Sequence, residues 1–360
     1  MPLYGVKSVF DIKKDCAKIK TIIDRCLASG DRLITSDYKT LIEAFGITPY
    51  KTKANVYDFL LPDMQVSDNE TLTRRVLEKM RGMEAMEWHR IIANASVVYS
   101  SLEERGIEFF GHIVYPRWSM KTYSGRSKTI GHNIQGSTTG DKIYNPNGFH
   151  DDVLIHFDWC AADIRVAAFL SGDELLSEAC EHIDPYAYIA DHLDPTGNFS
   201  RNEAKAALLT SINSMDTSAH IMDALPRLRQ WIINCSEVIN AGGHLSSMLG
   251  RKFRKRNDKK SDWSPFNAQM QGSIAHAMHI VVREIWEEFD DKLLADVHDS
   301  IVMACPRDIA TIKQTINRVQ EIMCWPFKGY IDSNPVFPVK VSIGDKWKEW
   351  KEYSTYPKSV

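Results

Sequence analysis

The sequence has no long hydrophobic run, and this absence argues against one broad class of protein. None of its apolar stretches approaches the roughly 18 residues that a membrane-spanning helix needs. Residues 1–20 also lack the apolar centre of a signal peptide and the arginine-rich, acid-poor composition of a transit peptide. We therefore expect a cytoplasmic protein with no membrane partner. A length of 360 residues suggests two or three domains.

Paired cysteines are also missing. The seven cysteines contain no Cys-x-x-Cys pair, and an odd number of scattered thiols is typical of a reducing compartment. His276 and His279 have a spacing that metal ligands use, but they have no nearby cysteine or glutamate partners in the sequence. We expect them to be ordinary helix residues, and zinc is not expected.

A positive net charge is lacking too, since the formal net charge is −3. The distribution of charge is more informative than its sum. Seven of the ten residues from 251 to 260 are basic. A second basic cluster consists of Arg117, Lys121, Arg126 and Lys128. Such clusters are either solvated loops or surfaces that neutralise nucleic-acid phosphates, and the charge pattern alone leaves both interpretations open.

Two aspartates stand at the ends of predicted strands. An apolar run at residues 153–157 leads into Asp158. Residues 293–297 and 301–304 are short apolar runs with polar residues between them, a pattern that predicts a hairpin with Asp299 at its tip. Carboxylates on neighbouring strands suit a two-metal site for phosphoryl transfer. The alternative is that both are structural, because most acidic residues cap helices or face water.

Segments of this sequence resemble the motifs of the family A DNA polymerases. Residues 158–165 read Asp-Trp-Cys-Ala-Ala-Asp-Ile-Arg, similar to the usual motif A, Asp-Tyr-Ser-Gln-Ile-Glu-Leu-Arg. Residues 201–205 resemble the start of motif B, and His298-Asp299 resembles motif C. Four further segments resemble stretches of the same family in the same order: residues 123–126 with 133–135, 249–252, 267–273 and 344–347.

The resemblance implies an α+β, right-hand polymerase fold with an antiparallel-sheet palm and largely helical thumb and fingers. The implied division is a small helical N-terminal region of unknown role (1–60), thumb-like helices (61–110), palm with motif A (111–200), fingers with motif B (201–263) and palm with motif C (264–360). We expect a minimal polymerase core without a proofreading exonuclease, of a kind typical of phages and mobile elements.

The resemblance also implies roles for individual residues. The implied catalytic residues are Asp158 and Asp299, and with the carbonyl of Trp159 they would bind two Mg²⁺ ions, for which Mn²⁺ could substitute. The implied nucleotide-binding residues are Arg201, Lys205, Asp163, Leu209, Tyr186 and Asn213. The implied DNA-binding residues are Arg126, Asn133, Gln135, Asn267, Gln271, His298, Arg251 and Lys252. Arg201 and Lys205 are four residues apart, so they would share one helix face, as a triphosphate site needs.

Several positions depart from the family pattern. Asp163 stands where motif A has a glutamate that closes off the nucleotide 2′ position. Leu209 replaces an aromatic residue of motif B, Asn213 begins the pair that replaces Tyr-Gly, and Tyr186 stands where a histidine is common. Ser300 makes motif C read His-Asp-Ser, the form typical of single-subunit RNA polymerases. We therefore expect catalysis with relaxed nucleotide selectivity.

Three functions remain open on the sequence. The favoured one is a template-directed DNA polymerase whose partners are a DNA primer–template and deoxynucleoside triphosphates, with no replisome partner identified. The second is a ribonucleotide-accepting polymerase or primer-maker, which Asp163 and Ser300 motivate. The third is an inactive DNA-binding scaffold of a replisome, which the altered motif B motivates. Retention of both Asp158 and Asp299 argues against the third.

Overall fold

The computed structural model of this chain describes most residues from 87 onward. The described stretches are 21, 32–35, 55–58, 87–109, 112–120, 122–131, 133–136, 143–146, 151–255, 265–289, 292–332, 335–347 and 349–356. Most of the predicted N-terminal region and the first part of the predicted thumb lie outside them, as do the basic residues 256–260. No helix in these stretches is long and apolar enough to cross a membrane.

Helices and antiparallel sheets together confirm the expected α+β class. The helices in these stretches are α1 (Glu87–Glu103), α2 (Ala162–Ser171), α3 (Glu174–Ala179), α4 (Pro185–Leu193), α5 (Arg201–Ser214), α6 (Pro226–Asn240), α7 (Pro265–Phe289) and α8 (Ile309–Cys324). The strands are β1 (Arg32–Thr35), β2 (Asn55–Asp58), β3 (Ile107–Phe109), β4 (His112–Val114), β5 (Arg117–Ser119), β6 (Lys128–Ile130), β7 (Ile143–Pro146), β8 (Val153–Trp159), β9 (His244–Ser246), β10 (Lys252–Arg254), β11 (Leu293–Val297), β12 (Ser300–Cys305), β13 (Val339–Gly344) and β14 (Lys351–Tyr356).

A five-stranded antiparallel sheet holds both aspartates that the sequence singled out. Its strand order is β11-β12-β8-β13-β14, with β8 in the centre. The register pairs Asp158 of β8 with Ser300 of β12 on one side and with Lys340 of β13 on the other. Directly opposed side chains project from the same face of a sheet. Ser300 and Lys340 therefore flank Asp158.

Strand β8 forms at the centre because its apolar side chains can be covered on both faces. Val153, Leu154, Ile155 and Phe157 are all buried, and β12 is buried along its whole length. A near-continuous apolar run of this kind is typical of a strand that is covered on both sides. Only near the end of β8 does a carboxylate replace the apolar pattern.

The predicted hairpin around Asp299 is present. Strands β11 and β12 pair antiparallel, and His298 adopts a φ of +65° in the turn between them. That left-handed conformation is unfavourable for most residues with a Cβ. The Ser300 hydroxyl donates to the Val297 carbonyl at 2.9 Å, and the Trp159 N–H donates to the Asp299 carbonyl at 3.2 Å. These two hydrogen bonds hold the turn against the end of β8.

A buried arginine links motif A to the segments around it. Arg165 of α2 is 2% exposed. Its guanidinium donates to the backbone carbonyls of Cys160 (2.9 Å), Cys180 (2.5 Å) and His182 (2.7 Å), with longer contacts to Ile183 (3.5 Å) and Val336 (3.3 Å). The five donors of a guanidinium can satisfy several carbonyls at once, and no other side chain offers as many. Arg165 thereby fixes both the turn after Asp158 and the segment that leads into α4.

We expect Arg165→Met to lower the free energy of unfolding by about 3 kcal/mol or more, because several buried carbonyls would lose a charged donor. Urea unfolding followed by circular dichroism measures this loss. Arg307→Met is the matched control, since the half-exposed Arg307 also donates to a backbone carbonyl, that of Asp151, at 2.9 Å. An equal effect of the two substitutions would contradict the role given to Arg165.

Candidate functional site

The two aspartates at the end of the central sheet interact directly through their charges. Asp158 is half-buried, and burial together with the neighbouring Asp299 raises the pKa of Asp158 to about 7. Burial likewise raises the pKa of Asp299. Lys340 and Lys205 act on Asp158 in the opposite direction. Two carboxylates that disfavour each other's charge form a site that a cation would stabilise.

The donor set at this site fits a hard divalent ion. Carboxylates and backbone carbonyls are the oxygen ligands that Mg²⁺ and Mn²⁺ prefer, and Asp158, Asp299 and the carbonyl of Trp159 are of this type. Within the described part of the chain, no three His, Cys, Asp or Glu side chains form a ready metal cluster. Mg²⁺ usually keeps several waters and binds substrate phosphates beside one or two carboxylates.

Helix α5 presents its cations towards the two aspartates. It begins at Arg201 with a capping box, in which Ser200 and Glu203 satisfy each other's backbone N–H groups. The Arg201 guanidinium and the Lys205 amine each lie 5.6 Å from the centre of the Tyr186 ring. Lys205 acts electrostatically on Asp158 and Asp299. The predicted pair therefore shares one face, and that face is next to the carboxylates.

An aspartate that the sequence analysis did not single out anchors Arg201. One oxygen of Asp184 accepts the backbone N–H groups of Tyr186 and Ala187, which caps helix α4. Its other oxygen accepts from Arg201 Nε at 2.6 Å. Of its terminal nitrogens, Nη1 donates to Asn202 Oδ1 at 3.2 Å. The signal available in the sequence was Asp184-Pro185, a typical helix start.

The remaining predicted nucleotide-binding residues surround this face. Asp163 interacts electrostatically with Arg126, Asp299 and Lys205, and burial raises its pKa. Tyr186 is 4% exposed beneath the two cations, and burial with Asp163 nearby raises its pKa. Leu209 and Asn213 follow Lys205 at four-residue intervals on α5 and so share its face. Leu209 is half-buried and Asn213 is exposed.

Two of the predicted DNA-binding residues, Arg126 and His298, lie near the same carboxylates, and two more, Asn267 and Gln271, lie on α7. Arg126 acts electrostatically on Asp299 and His298. Asn267, at the start of α7, donates from Nδ2 to the Asn213 carbonyl at 3.1 Å. Arg126 Nε and Gln271 Oε1 are buried and have no hydrogen-bond partner among the described residues. Buried polar atoms of this kind are rare, and they are what a missing polar ligand would leave behind.

Two other predicted DNA-binding residues, Arg251 and Gln135, are buried and form hydrogen bonds within the protein. Arg251 is 5% exposed and donates to the carbonyls of Tyr123 and Ser124, so its guanidinium is engaged inside the protein, and its contact with phosphate stays a prediction. Gln135 is buried and bonds to Ser127 and to the Asp296 carbonyl, which likewise places it inside the protein. Both side chains donate to backbone carbonyls, which compensates for their burial.

Asn133 and Lys252 remain at the surface. Asn133 is exposed and accepts from the Gly136 N–H at 2.9 Å, and Lys252 is exposed on β10. Their predicted contacts with DNA stay predictions. The sequence analysis missed Lys340 of β13, which flanks Asp158, because only strand pairing brings these two residues together.

Sequence comparison finds relatives that are named DNA polymerase I. No family model matches the chain. The thermostable DNA polymerase I of Thermus thermophilus is 22% identical over 236 residues, which cover 56% of this chain and 27% of the relative. DNA polymerase I of Borreliella burgdorferi is 22% identical over 337 residues, which cover 80% of this chain and 36% of the relative. This chain is similar in sequence to proteins named DNA polymerase I.

A solved structure agrees at the level of the fold. The polymerase domain of Pol1 from M. smegmatis, in complex with DNA primer-template and dNTP, superposes with a TM-score of 0.54 at 16% identity. The match covers 92% of this chain and 66% of that one, which confirms the expected polymerase-domain fold. The chain spans about a third of the length of these two curated relatives. Both are bacterial and give no support to a phage or mobile-element origin, which stays a prediction, as do the domain boundaries.

We expect the shared face of Arg201 and Lys205 to bind polyphosphate. Replacing either residue by alanine should weaken the binding of inorganic tripolyphosphate about tenfold, since each removes a charge-assisted contact. Isothermal titration calorimetry measures the change. Arg227→Ala is the control, because Arg227 is an exposed arginine that pairs with Glu174 on another helix. Equal affinity of all three variants and the unmodified chain would exclude this face as an anion site.

Proposed function

We propose that this chain is a template-directed DNA polymerase that extends a primer 3′ end with deoxynucleotides by two-metal-ion nucleotidyl transfer. The observation that carries the proposal is the convergence of Asp158 and Asp299 with the cationic face of α5. The likeness to proteins named DNA polymerase I, and to a polymerase domain solved with DNA primer-template and dNTP, supports it. The reaction joins the primer 3′ oxygen to the α-phosphorus of the nucleotide and releases pyrophosphate.

Asp158 and Asp299 would hold two Mg²⁺ ions together with the backbone carbonyl of Trp159, and Mn²⁺ could substitute. When bound, the ions supply activation of the primer 3′-hydroxyl and neutralise charge on the triphosphate. The protein contributes the fixed positions of the two carboxylates. Strand pairing supplies that rigidity, since Asp158 lies in β8 and Asp299 in the turn that is hydrogen-bonded to it.

Helix α5 would hold the triphosphate. Lys205 reaches the electrostatic environment of both aspartates, so it would contact the phosphate nearest the ions. Arg201 would use its terminal nitrogens on the outer phosphates while Asp184 fixes its Nε. A guanidinium oriented in this way can donate two parallel hydrogen bonds to phosphate oxygens. Leu209 and Asn213, further along the same face, would border the base of the nucleotide.

The primer end would lie against Arg126, Gln271 and His298. The Arg126 Nε–H has no partner among the described residues and would donate to the minor-groove acceptors that all base pairs share. Gln271 would have to donate from its Nε2, because its unsatisfied Oε1 can only accept. Contacts of that kind test the shape of a base pair without reading its sequence. Asn267 beside α5, and Asn133 and Lys252 at the surface, would extend the contact along the DNA backbone.

We expect Asp158→Asn or Asp299→Asn to abolish primer extension, because either substitution removes an anionic oxygen ligand of the ions. Extension of a labelled primer–template with Mg²⁺ measures activity, and fluorescence anisotropy should detect primer–template binding within about threefold of normal. Asp308→Asn is the matched control, since Asp308 caps α8 away from the site and asparagine caps equally well. Near-normal extension by either site variant would refute the assignment.

A second candidate function is a polymerase that accepts ribonucleotides. The specific observation is Asp163, which interacts with Asp299, Arg126 and Tyr186 but is one methylene shorter than the glutamate that family A enzymes have there. A shorter carboxylate leaves more room where a 2′-hydroxyl would lie. Ser300 favours this candidate less, because its hydroxyl donates to Val297 and closes the hairpin turn.

We expect Asp163→Glu to raise discrimination against ribonucleotides about tenfold, since it would fill the space of one methylene near the 2′ position. The measurement is the ratio of kcat/KM for a deoxynucleotide to that for its ribonucleotide in single-nucleotide incorporation. Asp163→Asn in the same assay separates the charge of the carboxylate from its reach. An unchanged ratio in Asp163→Glu would mean that this residue does not guard the sugar.

Two further expectations are tested by the same assays. Degradation of a 3′-mismatched primer in the absence of nucleotides would contradict the expected lack of a proofreading exonuclease. Tight primer–template binding without extension by the unmodified chain, with either sugar, would favour the inactive scaffold instead.

A further inference from the structure

Three successive backbone carbonyls ahead of Arg126 receive donors from two distant parts of the chain. The carbonyls of Tyr123 and Ser124 accept from Arg251 Nη2 and Nη1, each at 3.0 Å. The Gly125 carbonyl bonds to His279 Nε2 at 2.8 Å. Arg251 lies in the turn between β9 and β10, and His279 lies on α7.

The Arg251 guanidinium is enclosed on the side away from these carbonyls. It is close to the rings of Trp88 (5.3 Å) and Phe253 (5.1 Å), measured to the ring centres. The backbone N–H of Arg251 donates to the Ser247 hydroxyl at 3.1 Å, which fixes the turn that carries it. Arg251 therefore has little freedom to move, and the two carbonyls are bound to a rigid group.

His279 has a defined protonation state in this contact. A carbonyl can only accept, so Nε2 carries the hydrogen. Burial lowers the pKa of His279 to about 4, so the ring is neutral near pH 7 and Nδ1 is an acceptor. The Tyr99 hydroxyl lies 3.4 Å from Nδ1 and can donate to it. Helix α1 thus orients the ring that holds Gly125.

The backbone at Gly125 requires a glycine for two reasons. Its φ is +87°, a conformation that residues with a Cβ rarely adopt. In addition, a Cβ at this position would overlap the Arg251 guanidinium. The positive φ and the close approach of the Arg251 guanidinium therefore both require glycine at position 125.

We propose that Arg251 and His279 are positioning residues for Arg126: by fixing the carbonyls of residues 123–125 they hold the Arg126 guanidinium beside Asp299. Arg126 follows directly after residues 123–125. Its carbonyl accepts from the Thr122 hydroxyl at 2.8 Å, and its guanidinium interacts electrostatically with Asp163, Asp299 and His298. The proposal rests on the proposed function, in which Arg126 contacts the primer end.

The test is a double-mutant comparison of Arg251→Lys and Arg126→Ala in primer extension. Lysine cannot bridge two carbonyls, so Arg251→Lys should lower kcat about tenfold or more by displacing Arg126. In the Arg126→Ala background the same substitution should change kcat less than about twofold, because both act through one group. Arg307→Lys is the control, an arginine that bonds to a backbone carbonyl away from the site. Additive losses would overturn the proposal.

A second pair of variants keeps the test independent of Arg251. His279→Leu removes the donor to Gly125, whereas His279→Gln retains an N–H at a similar distance from the backbone. We expect His279→Gln to recover most of the kcat that His279→Leu loses, with thermal unfolding used to confirm that each is folded. Equal kcat values for the two folded variants would contradict a positioning role.

A readout without activity separates this proposal from the proposed function. The Arg126 Nε–H is buried, so its NMR resonance, identified by its loss in Arg126→Lys, reports the position of the guanidinium. We expect it to shift in Arg251→Lys and His279→Leu and to stay in place in Arg307→Lys. If the unmodified chain does not extend primers, the proposed function fails while the resonance still decides the positioning role. If the resonance keeps its position in both Arg251→Lys and His279→Leu, the positioning role is overturned.

Discussion

Two buried carboxylates lie near each other at the end of one sheet, and this arrangement is unfavourable unless the backbone enforces it. Burial raises the pKa values of Asp158 and Asp299, and the charge of Asp299 raises that of Asp158 further. A flexible chain would therefore separate these side chains. The antiparallel pairing of β8 with β12, and the hydrogen bond from Trp159 to the Asp299 carbonyl, prevent that separation. Lys205 and Lys340 offset part of the unfavourable charge on Asp158.

Elements around this pair are joined by arginines that bind backbone carbonyls. Arg165 joins the turn after Asp158 to the segment before α4, and Arg251 joins the β9–β10 turn to the segment before Arg126. Arg201 is itself held by Asp184. Buried carbonyls outside regular strands and helices need donors, and a guanidinium supplies several in a fixed plane. In this chain buried arginines bind backbone carbonyls, whereas exposed ones such as Arg201 and Arg227 pair with carboxylates.

Departures from the family pattern have different structural meanings. Ser300 lies opposite Asp158 and closes the hairpin turn. Family A enzymes usually have a glutamate at this position, so the serine lacks a charge next to the site but keeps the turn hydrogen-bonded. Asp163 keeps its charge near Arg126 and Lys205. Leu209 and Asn213 lie on the face of α5 that also carries Lys205. In the proposed function these changed residues would affect which nucleotide fits, whereas charged groups remain around the two aspartates.

The sequence by itself determined the local features: the central strand leading into Asp158, the hairpin around Asp299, and the cations four residues apart at the start of α5. These follow from apolar patterning and from helix spacing, which are properties of neighbouring residues. Only the tertiary structure decided that Lys340 flanks Asp158 and that Asp184 fixes Arg201. It also decided that Arg251 and Gln135 face inward, although basic and amide side chains in such segments suggested contacts with DNA. The burial of these two side chains is compensated by hydrogen bonds that they donate to backbone carbonyls distant in the sequence. Residue type and local spacing cannot predict such long-range hydrogen bonds.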